Sequence, residues 1–207
     1  MPTPALKVPN PPKIEAVYAD IVALPEHVVG EIIDGELVVS PRPRNRHART
    51  ASRIGVDLGQ PFDRKPNGPD RPGGWWILDE PELHFGKQVL VPDLAGWRHA
   101  RLAEIPDDPF FTLSPDWVCE VMSPQSGRRD RIQKARIYAQ NGVQWLWLVD
   151  PLQQTVEVLE REDMHWRLVD TWGGADNEAR IPPFDAVALG LEAWWLPMPD
   201  GLPAIEK

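Results

Sequence analysis

Two acids and a lysine stand out in this chain for the company they keep. Glu120 lies in the run WVCEVM, between Trp117, Val118, Cys119, Val121 and Met122, which reads as a strand apolar on both faces. An ionised carboxylate buried there without a partner costs several kcal/mol, so Glu120 must be protonated, paired or bound to a cation. A second acid, Asp93, follows Pro92 inside the apolar run VLVPDLAGW. A proline in a strand marks an edge, a bulge or a local end. Two strands thus each deliver one carboxylate. Hard divalent cations such as Mg2+, or equally Mn2+, take carboxylate oxygens, with water and phosphate oxygens completing the shell. Phosphodiester hydrolysis at such a pair also needs a positive group for the developing charge or the attacking water. The segment after Glu120 offers Lys134.

The elements that must position these groups run from Pro115 to Pro151. An apolar strand, Asp116 to Met122, breaks at Ser123-Pro124; a helix follows and stops at Asn141-Gly142; a second apolar strand begins at once. Strand, helix and strand at this spacing predict a right-handed crossover between parallel buried strands of one sheet. Upstream, Trp75 to Leu78, Glu82 to Phe85 and Val89 to Ala95 read as successive short strands, a meander leading into Asp93. His99 to Ser114 reads as a connection with room for one short helix.

Residues 1–13 carry five prolines and little apolar periodicity, which predicts a disordered or loosely attached arm, and 14–207 read as a single domain. Ile14, Val17, Ile21 and Leu24 have helical spacing up to Pro25. In GEIIDGELVVSP, Asp34-Gly35 between two apolar runs predicts a β-hairpin with Glu31 and Glu36 on its flanks. A helix is expected from Asn45, as its cap, to about Phe62. Thr155 to Leu159 and Trp166 to Val169 predict a second hairpin turning at Arg161 to Asp163, and the tail through Trp194-Trp195 is apolar enough to dock on the core.

Composition bounds the function. A net charge of -9 argues against a strong non-specific nucleic-acid binder that works by phosphate neutralisation. Two basic patches qualify this: Arg42, Arg44, Arg46, Arg49 and Arg53 with His47, and Arg128, Arg129, Arg131, Lys134 and Arg136 around Asp130. Arg42, Arg44, Arg46, His47, Arg128 and Arg129 are the candidate contacts to a phosphate backbone; the plainer explanation is solvated helix faces. A single cysteine excludes an intrachain disulfide, and no apolar stretch is long enough to span a membrane, so a cytoplasmic protein without membrane contact is expected.

The ordered set EIIDGELVVSP, VPDLAGWR and DWVCEVMSP, then Asp130, Lys134, Tyr138 and GVQWLWLVDP, resembles the Uma family of restriction-endonuclease-like proteins, within the PD-(D/E)XK nuclease-like group. The resemblance covers roughly residues 20 to 160. It implies an α/β (α+β) fold, a restriction-endonuclease-like central mixed β-sheet flanked by helices, here with N-terminal and C-terminal β-hairpins. It also implies Mg2+-dependent hydrolysis of nucleic acid, DNA first, by an endonuclease. Asp93 matches the acid of the PD motif and Glu120 that of the second motif, as metal ligands. The superfamily lysine, two residues after that acid and on its strand face, is here Met122. Lys134 stands where the Uma-like pattern places a substitute, and Glu31 matches the acid before the DGE element. Double-strand cleavage would need two active sites, which makes a homodimer an expectation.

Plainer readings stand beside each assignment. Asp130 and Lys134, four apart, would make a surface pair worth about 0.3–0.5 kcal/mol. Glu120 could pair with a core arginine, Glu31 could be an ordinary hairpin flank, His47 an exposed histidine at a helix start, and Asp116 a cap at strand entry. Trp145 and Trp147, alternating on one strand, suit a core or a dimer interface better than base stacking. The fold could also serve a catalytically inactive binding or assembly protein, because a retained fold does not guarantee a retained reaction.

Overall fold

The computed structural model describes residues 15–197 except 41, 67, 69, 70, 125 and 126, so the proline-rich stretch 1–13 lies outside the described residues. Asp34 and Gly35 take left-handed conformations, φ 52° and 78°, and join β1 (Val29–Ile33) to β2 (Glu36–Ser40) in the expected hairpin. Consecutive left-handed residues match the twist of the flanking strands, which is why Asp-Gly is favoured there. The helix expected over 14–28 is only Tyr18–Val22 (α1), closed at its start by Asp20 accepting from the Val17 N–H; Ile14 lies outside the described residues. Helix α2 (Asn45–Phe62) has the expected span. Its cap position is Arg44, not Asn45, and the Arg44 side chain makes no capping hydrogen bond.

Among the described residues ten strands form two sheets. One has the order β2-β1-β5-β4, with β4 (Leu83–Phe85) and β5 (Gln88–Leu90) as a second hairpin. The other is mixed and has the order β10-β9-β8-β7-β6-β3, with β3 (Trp75–Asp79), β6 (Leu94–Arg98), β7 (Trp117–Val121), β8 (Trp145–Asp150), β9 (Thr155–Glu162) and β10 (His165–Gly173). β7 and β8 are parallel, as the crossover requires. The expected single strand over 89–95 is in fact two strands in different sheets. Pro92 has no N–H to give a ladder, and the chain leaves the small sheet after Leu90 and enters the large one at Leu94. The meander is corrected accordingly, since β3 pairs with β6 and the β4–β5 hairpin is inserted between them. Residues 99–114 carry no helix; Phe111 instead bridges Leu83. The last hairpin turns at Asp163-Met164, overlapping the expected turn at Asp163 and ending one residue later; Asp163 has φ 57°.

All five residues of β7 are buried, which the unbroken apolar run demands. On one face, Trp117, Cys119 and Val121 join Trp147 and Val149 against Ile54, Leu58 and Phe62 of α2 and the docked tail, with Phe184 and Trp194. On the other face, Val118, Leu146 and Leu148 meet Ile137 and Tyr138 of α4 (Ala135–Gln140) and Ile33, Leu83 and Leu90 of the small sheet. The tryptophans mostly serve packing. Trp147 stands edge-on to Trp117 at 5.1 Å and donates its indole N–H to the Pro182 carbonyl at 2.7 Å, while Trp145 is only partly buried against the same core. Trp147→Ala should therefore cost about 3–5 kcal/mol, read as a lower denaturant midpoint by far-UV circular dichroism.

Candidate active site

The break at Val91-Pro92-Asp93 builds one side of the site. Backbone groups released from the ladders there need other partners. The Val91 N–H donates to Glu31 Oε1 at 2.9 Å, and the Val91 carbonyl accepts from Lys134 Nζ at 3.2 Å. Asp93 stands one residue before β6 and continues the register that sets Leu94 opposite Cys119, so it falls opposite Glu120. Its Oδ2 accepts the Val121 N–H at 2.7 Å, and its Oδ1 lies 3.1 Å from His47 Nε2.

Lys134 arrives from a helix with an irregular start. After α3 (Gly127–Arg129), the residues Asp130–Lys134 form a π-helical turn before α4 continues. Such turns recur at functional sites, where they re-aim side chains. Lys134 and Tyr138, four apart, share a helix face and both reach Glu120 Oε1, at 2.7 Å and 2.6 Å. Lys134 Nζ also lies 2.9 Å from Glu31 Oε1. The Lys134 side chain is 3% exposed and that of Glu120 4%, so this is a buried cluster with one ammonium between two carboxylates.

The structure thus brings together Glu31, Asp93, Glu120 and Lys134. Glu120 pairs with a lysine, not a core arginine, and a surface pair does not account for a Lys134 buried between Glu31 and Glu120. Glu31 is buried against Val91 and Lys134, whereas Glu36 is exposed, so the two hairpin flanks differ. His47 is no exposed helix-start residue: its side chain is 15% exposed and lies against Asp93. Asp116 serves strand entry, accepting from the Arg98 N–H and pairing with Arg101. The arginines divide. Arg46 spends its guanidinium on the Leu196 and Pro197 carbonyls, Arg42, Arg44 and Arg128 are exposed, and Arg129 is half-buried. Arg128 borders a groove of about 480 Å³ at the exit of β7, together with Met122, Arg131 and Ile132. Tyr138 and the Val91 backbone are the parts that residue types alone did not single out. The spacing of Lys134 and Tyr138 was the available signal for Tyr138.

Among the described residues no group of three or more His, Cys, Asp or Glu is placed to hold a metal ion. Asp93 and Glu120, a pair of hard oxygen donors, fit an ion that keeps water in its shell, as Mg2+ and Mn2+ do, and do not fit a closed zinc-type site. Beside them, burial pushes the Cys119 thiol well above its ordinary value, and the Asp93 and Glu120 charges push it further.

The fold is a mixed α+β one, two sheets with few helices. It matches a solved structure from Anabaena variabilis ATCC 29413, described as "a putative nuclease belonging to DUF820", with a TM-score of 0.70, 22% identity, and coverage of 87% of this chain and 99% of that one. Over residues 19–198 the chain matches the family described as "Uma2: Putative restriction endonuclease", and it belongs to that family. No curated protein matches the chain.

Two outcomes follow from the burial. Lys134→Met leaves Glu31 and Glu120 facing each other without their cation. It should cost about 3–5 kcal/mol in urea unfolding, and adding Glu31→Gln and Glu120→Gln to it should recover part of the loss. Because a raised thiol stays protonated through neutral pH, Cys119 should be inert to Ellman's reagent at pH 8 in the native protein and react fully in denaturant; ready reaction of the folded protein would contradict its burial.

Proposed function

We propose that this chain is a divalent-metal-dependent endonuclease that hydrolyses phosphodiester bonds of nucleic acid, DNA first, at the site built on Asp93, Glu120, Lys134 and Glu31. The observation that carries the reading is Lys134, a buried lysine delivered by a helix to the second-motif acid, where the strand itself offers Met122. Membership of the Uma2 family supports it, as does the nuclease description of the Anabaena relative.

Asp93 and Glu120 would hold Mg2+ or Mn2+. When bound, such an ion neutralises phosphate charge and activates water. The chain's own residues do the rest. Lys134 supplies a fixed positive charge beside Glu120, in a site where low dielectric makes it count for more than in water. Glu31 and the Val91 carbonyl hold that ammonium in place. Tyr138 donates to Glu120 Oε1 and fixes the carboxylate's orientation. Exposed Arg42, Arg44 and Arg128, with Arg129, would meet the phosphate backbone and set register without reading sequence. A homodimer would supply the second site that double-strand cleavage needs.

One observation favours a second reading, a catalytically inactive binding protein on the same fold. An ammonium has three donors, and those of Lys134 meet Glu120, Glu31 and Val91, the arrangement of a purely structural counter-ion. Supercoiled plasmid and single-stranded oligonucleotides, incubated with Mg2+ or Mn2+, separate the two. The nuclease reading expects metal-dependent cleavage that falls by at least about 100-fold in Glu120→Gln. No cleavage of any substrate by the folded wild type would leave the binding protein standing.

A further inference from the structure

His47 belongs to the segment considered for phosphate contact, but its geometry turns it inward. Its Nε2 lies 3.1 Å from Asp93 Oδ1, and both side chains are largely buried, 15% and 14% exposed. A carboxylate accepts and cannot donate, so in a hydrogen bond between the two Nε2 is the donor. The other Asp93 oxygen already accepts the Val121 N–H. Asp93 is thus held at one oxygen by the Val121 N–H and met at the other by the His47 imidazole, two contacts that restrict how the carboxylate can turn. About four lone-pair sites exist on a carboxylate, so two contacts leave acceptor capacity for a cation.

The backbone under His47 is anchored as well. In the first turns of α2, Thr50 donates its hydroxyl to the Trp194 carbonyl at 2.9 Å, Arg49 bonds the Ala193 carbonyl at 3.0 Å, and Arg46 bonds the Leu196 carbonyl at 2.7 Å. The docked tail therefore fixes the helix start from which His47 reaches Asp93.

We infer that His47 is a positioning residue for Asp93, donating from Nε2 to orient that carboxylate toward a divalent cation. The inference rests on the reading of Asp93 as a metal-side acid. It assigns His47 neither proton transfer nor direct contact with phosphate. Hydrogen-bond partners of a ligating carboxylate typically change metal affinity by about 10–100-fold when removed.

The test is a thermal-shift titration of the full chain with Mn2+, read without any substrate, on the wild type, His47→Leu and His47→Gln. The glutamine amide can place an N–H where the imidazole Nε2–H stands, whereas leucine cannot. Melting of each variant without metal shows that it is folded. The expected result is stabilisation of the wild type by Mn2+, a midpoint about 10–100-fold higher in His47→Leu, and a midpoint near wild type in His47→Gln. If the wild type responds to Mn2+ and His47→Leu responds equally, the positioning role is wrong and the metal site stands. A near-normal midpoint in His47→Gln with cleavage abolished would also overturn it, in favour of direct chemistry at the imidazole. Absence of any Mn2+ response in the wild type would overturn both this inference and the metal-site reading.

Discussion

An ammonium group with 3% of its side chain exposed is the constraint on which the rest of this structure depends. Removing such a charge from water is costly unless its geometry is good and its remaining donors are satisfied. Lys134 meets that requirement with acceptors from different parts of the chain, among them Glu120 of β7, Glu31 of β1 and the Val91 carbonyl. These lie in the large sheet, the small sheet and the passage between them. One side chain thus ties a helix to both sheets, and moving any of the three partners would leave charge buried without an answer.

The passage at Val91-Pro92-Asp93 explains how acids come to be concentrated there. A strand that stays in its sheet satisfies its own backbone and leaves side chains little polar work. This one changes sheets, and the freed groups on Val91 are met by Glu31 and Lys134, while Asp93 meets the free N–H of Val121 on the neighbouring strand. The polar cluster therefore completes the hydrogen bonding of the core as well as presenting charge. A site made this way is held by backbone on one side and by packed apolar residues on the other, the condition under which carboxylates keep a fixed geometry.

Much of this could be read from the sequence, because the strongest signals were violations of a pattern. Glu120 stood out in an apolar strand, Pro92 in another, and Asp34-Gly35 between two runs; each marks a place where only one local structure satisfies the chain. What stayed hidden was long-range. Whether Val89 to Ala95 formed one strand or two depended on which sheet each half joined, and periodicity does not encode that. The partners of Lys134 came from positions 31, 91 and 120, separations across which a single sequence gives no register. His47 looked like part of a basic stretch because five arginines surround it, and only the helix's docking shows that it faces Asp93 while Arg46 faces the tail.

The charge beside Glu120 comes from a helix and not from its own strand. A lysine two residues beyond Glu120 would share its strand and move with it. Here that position holds Met122, whose sulfur lies 3.7 Å from Arg131, and the charge comes from a helix whose register is set by a π-helical turn. The distance from lysine to acid therefore depends on how α4 packs on the sheet, through Ile137 and Tyr138, and not on strand geometry alone. Tyr138 closes that dependence: it lies one helical turn beyond Lys134, is fully buried, and bonds the same Glu120 oxygen, so the contact that seats the helix also fixes the acid. Packing and electrostatics are set by one helix face, which is how a site assembled from four separate elements can hold its geometry to within a hydrogen bond.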